Sequence, residues 1–232
     1  MAQPPDISET FFKEVDENLR RDRINDFFKK NAGWLVAALV LFLVASGGFI
    51  WFQQHRVEVA EQHVEQLATI YKDISVGKTD KVAQQLDDLS QSSSKAVRAT
   101  ALLTRAAFAL QQNDQKLAIS TYKTIADDSS FPDAYRNAAL IRQTALEFDQ
   151  LQPQDVISRL QPLTKAGDPW FGSAGEMTAL ALIKQGKNKE AGQLFAAIAK
   201  DKTVPDSIRN RAVQISGTLG VDASAALGPM AQ

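Results

Sequence analysis

Cysteine is absent from this 232-residue chain, and histidine occurs only at His55 and His63. The first absence removes disulfides, zinc–thiolate sites and thiol nucleophiles. The second leaves too few imidazoles for most metal sites or for a Ser-His-Asp relay. An excess of one charge is missing too: 26 Lys and Arg stand against 27 Asp and Glu, a net charge of −1. No global field therefore draws the chain to nucleic acid. The sequence holds no H-E-x-x-H, no Walker loop and no G-x-G-x-x-G, which removes the common zinc-protease and nucleotide-binding signatures. No cofactor and no catalytic centre are expected. Runs of β-branched residues are scarce, while Ala, Leu, Gln and Lys are abundant. That composition points to an all-α fold.

One stretch is present in full measure. From Trp34 to Phe52, WLVAALVLFLVASGGFIWF, nineteen residues pass without a charge, and Ser46 is the one polar side chain. Eleven of them are Leu, Ile, Val or Phe, enough to favour insertion by several kcal/mol at roughly 0.3–0.6 kcal/mol each. As a helix the stretch spans roughly 28 Å, the thickness of a bilayer's hydrocarbon core. Trp34 at one end and Trp51 with Phe52 at the other stand where interfacial aromatics belong. Val44-Ala45-Ser46 has the small-residue look of a signal-peptidase site, but the apolar run continues directly as GGFIWF. An uncleaved anchor over residues 33–53 is expected. Ala45, Ser46, Gly47 and Gly48 leave two readings open, a close helix contact in the bilayer or glycines facing lipid.

Ahead of the anchor, residues 1–32 read as an amphipathic, charge-rich leader. Asp6 with Glu9 suggests a capping box, and Phe11, Phe12, Val15 and Leu19 recur at helical spacing. This face is either a docking surface for a protein or lipid, or a solvated leader that supplies topology charges. Arg20, Arg21, Arg23, Lys29 and Lys30 lie close before the span, whereas Arg56 and Lys72 are the basic residues in an equal window after it. The positive-inside bias places the N-terminus in the cytoplasm and the C-terminal domain across the membrane.

Residues 54–218 read as helix and turn with an internal repeat. Pro132, Pro169 and Pro205 lie 37 and 36 residues apart, and P-D-x-x-R-N-x-A occurs at Pro132 and again at Pro205. Each proline is expected to open a first helix. Fourteen residues before Pro132 and Pro205 stand Ala118 and Ala191, with Tyr122 and Ile125 or Phe195 and Ile198 following them. Val156, Leu160 and Leu163 hold the matching places in a middle copy, and Val82, Leu86 and Leu89 in an earlier one. Four antiparallel helix pairs follow, with residues 205–217 as a last helix. The small-x-x-x-aromatic pattern ahead of a helix-opening proline resembles the tetratricopeptide repeat, an α-solenoid in which stacked pairs share one core.

Residual candidates for chemistry are few. His55 and His63 lie eight residues apart and read as an interfacial and a solvated side chain. Asp87-Asp88 and Asp127-Asp128 fall near expected helix ends and read as solvated loop edges. Trp170 and Phe171 start a helix and either anchor a polypeptide client or pack between repeats. The stretch 219–232 lacks a sustained amphipathic pattern and is expected to be a disordered end.

A charged leader, the segment FFKKNAG over Phe27–Gly33, one anchor ending in Trp51-Phe52, His55 just beyond it, and degenerate repeats occur together. This combination resembles the YfgM-like ancillary subunits of the Sec translocon, whose repeat region is related to that of the envelope's cell-division coordinator family. The resemblance implies a single-pass protein of the bacterial inner membrane with a periplasmic repeat domain. It further implies translocon subunits and a membrane-anchored periplasmic chaperone as partners, and passage of translocated polypeptide clients to chaperones. The coordinator branch implies the alternative of a scaffold for cell-wall assembly or division; that branch is secreted as a soluble protein, and the anchor here argues against it.

Overall fold

The computed structural model of the protein describes residues 7–227, and those residues are all-helical. Its α-helices are α1 (Ile7–Ser75), α2 (Val82–Leu89), α3 (Lys95–Gln111), α4 (Gln115–Asp127), α5 (Asp133–Glu147), α6 (Pro153–Leu160), α7 (Phe171–Lys184), α8 (Asn188–Lys200) and α9 (Asp206–Thr218). Short 3-10 turns follow at Gln161–Leu163 and Ser224–Leu227. The chain divides into two units between Glu61 and Gln62.

In the first unit, α1 carries a 24-residue stretch, Ala32–His55, with mean hydropathy 2.4 and none of it buried. By length and composition it is a helix that can cross a membrane. It is apolar all round, the pattern of a helix with no watery side. The capping candidate Asp6 lies outside the described residues. So do the side chains of Phe11, Phe12, Val15, Leu19, Arg20, Arg21, Arg23 and Lys29.

The second unit is a stack of helix pairs, and its core divides accordingly. The three residues that the repeat pattern marks are buried in every copy, all on the second helices α2, α4, α6 and α8 except Leu163, which lies in the 3-10 turn that continues α6. Val82, Leu86 and Leu89, Ala118, Tyr122 and Ile125, Val156, Leu160 and Leu163, and Ala191, Phe195 and Ile198 are all buried. Each second helix contributes to one apolar cluster, whereas the first helices α3, α5 and α7 contribute to two. Val97, Ala101 and Phe108 of α3 pack with α1 and α2, while Ala99, Ala106 and Ala109 of the same helix pack with α4 and α5. Ala139 of α5 belongs with α4, and Leu140 and Ile141 beside it pack with α6 and α7. On α7, Ala174 and Ala181 face α6, and Phe171 and Ala179 face α8. A first helix is thus wedged between consecutive pairs, which makes the separate clusters one continuous core.

Two turn devices set the repeat. Four first helices close in the same Schellman motif, with Gly77, Asn113, Gly186 and Gly220 in the left-handed region. The closing bonds run from the N–H of Lys78, Asp114, Lys187 and Val221 to the carbonyls of Asp73, Ala109, Leu182 and Ser216, at 2.8–2.9 Å. α5 departs from this: Leu151 N–H reaches Glu147 O at 3.0 Å, and Pro153 starts α6 directly. Between pairs, a side-chain oxygen accepts the N–H two residues on. Ser92 holds Ser94, Asp128 holds Ser130, Asp168 holds Trp170 and Asp201 holds Thr203.

The recurrent P-D-x-x-R-N has a physical account. Arg136 Nε donates to Ala126 O at 3.3 Å and Arg209 Nε to Ala199 O at 3.1 Å, tying the unsatisfied carbonyl end of the preceding second helix. Their Nη1 atoms pair with Asp133 and Asp206 in the first helical turn. Pro132 and Pro205 sit at the N-cap, one place before the helices they open, and Pro169 lies just ahead of the N-cap Trp170.

Residues 219–227 differ from the expected disorder. α9 closes in the same way as the first helices before it. Leu219, Val221, Ala223 and Ala226 pack on the last cluster, and Arg209 Nη2 donates to Ala226 O at 3.1 Å. A Cβ at Gly192 would lie 2.8 Å from Val221 Cγ2, so α8 needs glycine where the tail crosses it. Such packing needs no helical periodicity, which is why no amphipathic pattern announced it. Residues 228–232 lie outside the described residues.

Candidate interaction surface

The first helices lie side by side: α3 touches α5, α5 touches α7 and α7 touches α9. Tyr71 Oη of α1 and Thr104 Oγ1 of α3 are 2.8 Å apart, which adds the end of α1 to the same layer. Counting from the N-caps Ser94, Pro132 and Trp170, the tenth residue onward is Thr104, Arg142 and Leu180. These three are equivalent by register and form one row across the layer. Four residues earlier, one helical turn away, a second row reads Thr100, Ala138 and Glu176, and the N-cap Pro205 extends it to Arg211. Glu176 and Arg211 form a two-pronged ion pair, with Arg211 Nη2 to Glu176 Oε2 at 2.7 Å. That bond and its charge raise the Arg211 pKa further.

The arginines of the repeat unit are mostly committed to groups of the protein itself. Arg98 bonds Ser130 and lies over the Phe131 ring, Arg105 pairs with Asp87, and Arg159 of α6 pairs with Glu147. Arg136, Arg209 and Arg211 are engaged as described. Arg142 is the exception in the repeat unit: it is exposed and makes no hydrogen bond or ion pair to a described residue. Its charge is felt below, at Tyr122. Burial pushes that phenol above its ordinary value, and Arg142 opposes the shift.

A polar groove of about 590 Å³ lies between α1 and α2, walled by Gln62, Glu65, Gln66, Thr69, Gln85 and Asp88 over Ile70 and Leu89. It holds no histidine. His63 sits beside Ser92, Nδ1 to Oγ 2.9 Å. His55 stacks on Trp51 with ring centroids 5.8 Å apart. Among the described residues, no group of three or more His, Asp or Glu side chains could hold a metal ion. Asp87 is spent on Arg105 and Asp127 on Lys123, both at the surface.

The residues singled out from the sequence fall into place unevenly. Trp34, Trp51 and Phe52 stand exposed at the ends of the apolar stretch, and Lys30 is exposed ahead of it. Of the two readings open for Phe171, client anchor or packing between repeats, the second holds: it is 2 % exposed and packed with α8 and α9, where no client reaches it. Trp170 is half-buried against the α6–α7 cluster. Tyr71, Arg142 and Leu180 were missed: the common register counted from helix N-caps would have found the last two, whereas Tyr71 joins the row only through its contact with Thr104.

The profile of the tetratricopeptide repeat-like domain family matches residues 25–216, and the chain belongs to that family. The match begins before the apolar stretch, so the apolar helix and the repeats are matched together. Repeat domains of this kind are typically non-catalytic scaffolds for protein–protein interaction. No curated protein and no solved structure matches the chain.

Proposed function

We propose that the protein is a single-span scaffold of a bacterial inner membrane, held beside the Sec translocon. Its repeat unit lies on the periplasmic side and passes emerging chains to a membrane-anchored chaperone. The observation that carries this reading is the exposed apolar helix Ala32–His55 joined in one chain to a stack of interaction repeats. The orientation rests on Arg20, Arg21, Arg23, Lys29 and Lys30 ahead of the span. The mechanism is tethering. A weakly binding solenoid fixed at a channel exit works at a high effective concentration, so modest contacts suffice.

Crosslinking in native membranes tests the assignment: translocon and chaperone subunits should be recovered, and recovery of neither sinks it. Protease added outside spheroplasts should remove the repeat unit, whereas protection would reverse the orientation.

A further inference from the structure

Among the described residues, the repeat unit leaves few large apolar side chains in water: Val64, Tyr71, Val76 and Leu180. Three of them mark the first-helix layer. Tyr71 is bonded to Thr104 at one end of the row, Val64 lies two helical turns from Tyr71 on the same side of α1, and Leu180 is the row's member on α7. Between these apolar ends stands Arg142, the one arginine of the repeat unit without a hydrogen bond or ion pair to a described residue. The side chains that flank it along α5 are Ala138 and Ala145, one turn before and one turn after. Thr104 and Ala107 hold the adjoining register positions on α3. Small neighbours leave the guanidinium open to whatever crosses the layer.

We propose that this face binds an internal acidic segment of a polypeptide, an Asp or Glu flanked by apolar residues, with Arg142 taking the carboxylate. The inference rests on the scaffold reading above and adds the class of segment recognised. A fork of N–H donors matches a carboxylate, and the six other arginines of the unit already use theirs on protein groups. The carboxylate belongs inside the segment rather than at its end, because apolar contacts lie on both sides of Arg142. Neighbouring helix axes are about 9 Å apart. Arg142 is therefore roughly 18 Å, two helices, from the α1 end and about 9 Å from Leu180. In extended chain, at about 3.3 Å per residue, the acidic residue precedes one apolar position by about three residues and follows the other by about five.

The test uses the full-length protein in detergent micelles and an array of amidated peptides of about nine residues. Leu occupies both ends, and the position opposite Arg142 is Glu, Gln or Lys. The Glu peptides should be retained about tenfold over the Gln peptides. Arg142→Ala should erase that difference, and Arg142→Glu should favour the Lys peptides. Lys189→Ala, on the outer helix α8, should keep the Glu preference, and circular dichroism should show every variant folded. Equal retention of Glu and Gln peptides, a Glu preference that survives Arg142→Ala, or retention of no peptide each overturns the proposal. The scaffold reading falls separately, by failure of the membrane crosslink.

Discussion

The apolar helix of the first unit and the second helices of the repeat unit use the same aliphatic residues under opposite rules. Leu41, Phe42 and Val44 stand 72 %, 66 % and 70 % exposed, while Leu86, Ile125, Leu160 and Ile198 are wholly buried. The difference lies in pattern rather than in composition. The second helices keep a narrow apolar seam with Gln, Lys and Asp on the remaining faces, so they need a neighbouring helix. The stretch Ala32–His55 has no polar face, so packing one side would still leave the other in water. A lipid environment is what satisfies every side at once. One chain thus carries two kinds of apolar helix, one exposed on every side and the other buried by stacking.

Charges placed in the first unit should break this contrast most strongly. Leu41→Arg with Val44→Arg puts two guanidinium groups at mid-span, at about 5–7 kcal/mol together. The variant should move from the pellet to the supernatant on alkaline extraction of membranes, while thermal unfolding of the repeat unit stays unchanged. Retention in the pellet would remove the membrane reading of this helix.

Next in size is a truncation made once in each region. Phe195→Ala empties the wholly buried site between α7, α8 and α9 and should cost about 3–5 kcal/mol of repeat stability in urea unfolding. Phe42→Ala removes the same group from an exposed site and should leave that transition where it was. Equal losses would mean that Phe42 has a protein partner.

A smaller effect should follow from glycine. Gly186, with φ 76°, closes α7 in the left-handed region, and Gly186→Ala should cost about 1–2 kcal/mol of the same transition. Gly47→Ala places a Cβ that meets nothing within 4 Å and should leave that transition unmoved.

How far these features could be read in advance follows the same division. The buried triplets such as Ala191, Phe195 and Ile198 were legible because helical spacing records which face a helix turns inward. The apolar helix was legible because its composition is uniform. Phe171 was not, since a residue beside an N-cap turns inward or outward according to the neighbouring pair, and α8 and α9 decide it. Arg142 was illegible for a related reason: standing unpaired among the described residues is a property of where the six other arginines of the repeat unit find partners. Ala223 and Ala226 carry no periodic signal, because they pack on α8 and α9 as a strap ending in one short 3-10 turn, too short to show helical spacing.

The smallest effect expected is set by pH and belongs to the repeat unit alone. Asp201 accepts from the Thr203 hydroxyl at 2.6 Å, from the Thr203 N–H at 2.9 Å and from the Gly167 N–H at 2.7 Å. The Thr203 hydroxyl and then the two backbone bonds hold its carboxyl below the ordinary carboxylate value. Asp128 and Asp222 are lowered in the same way by Ser130 and Ser224. A carboxyl whose folded pKa is depressed stabilises the fold above its unfolded pKa, about 3.9. That contribution is lost as pH falls from there through the lower folded value, because protonation removes the acceptor. Urea midpoints of the full chain should therefore drop on acidification, and Asp201→Asn should flatten part of the drop while lowering the midpoint at neutral pH. The Ala32–His55 stretch has no carboxylate, so membrane retention should hold over the same range. If the Asp201→Asn chain kept the full acid slope, the turn bonds at Thr203 and Gly167 would not be what ties stability to pH.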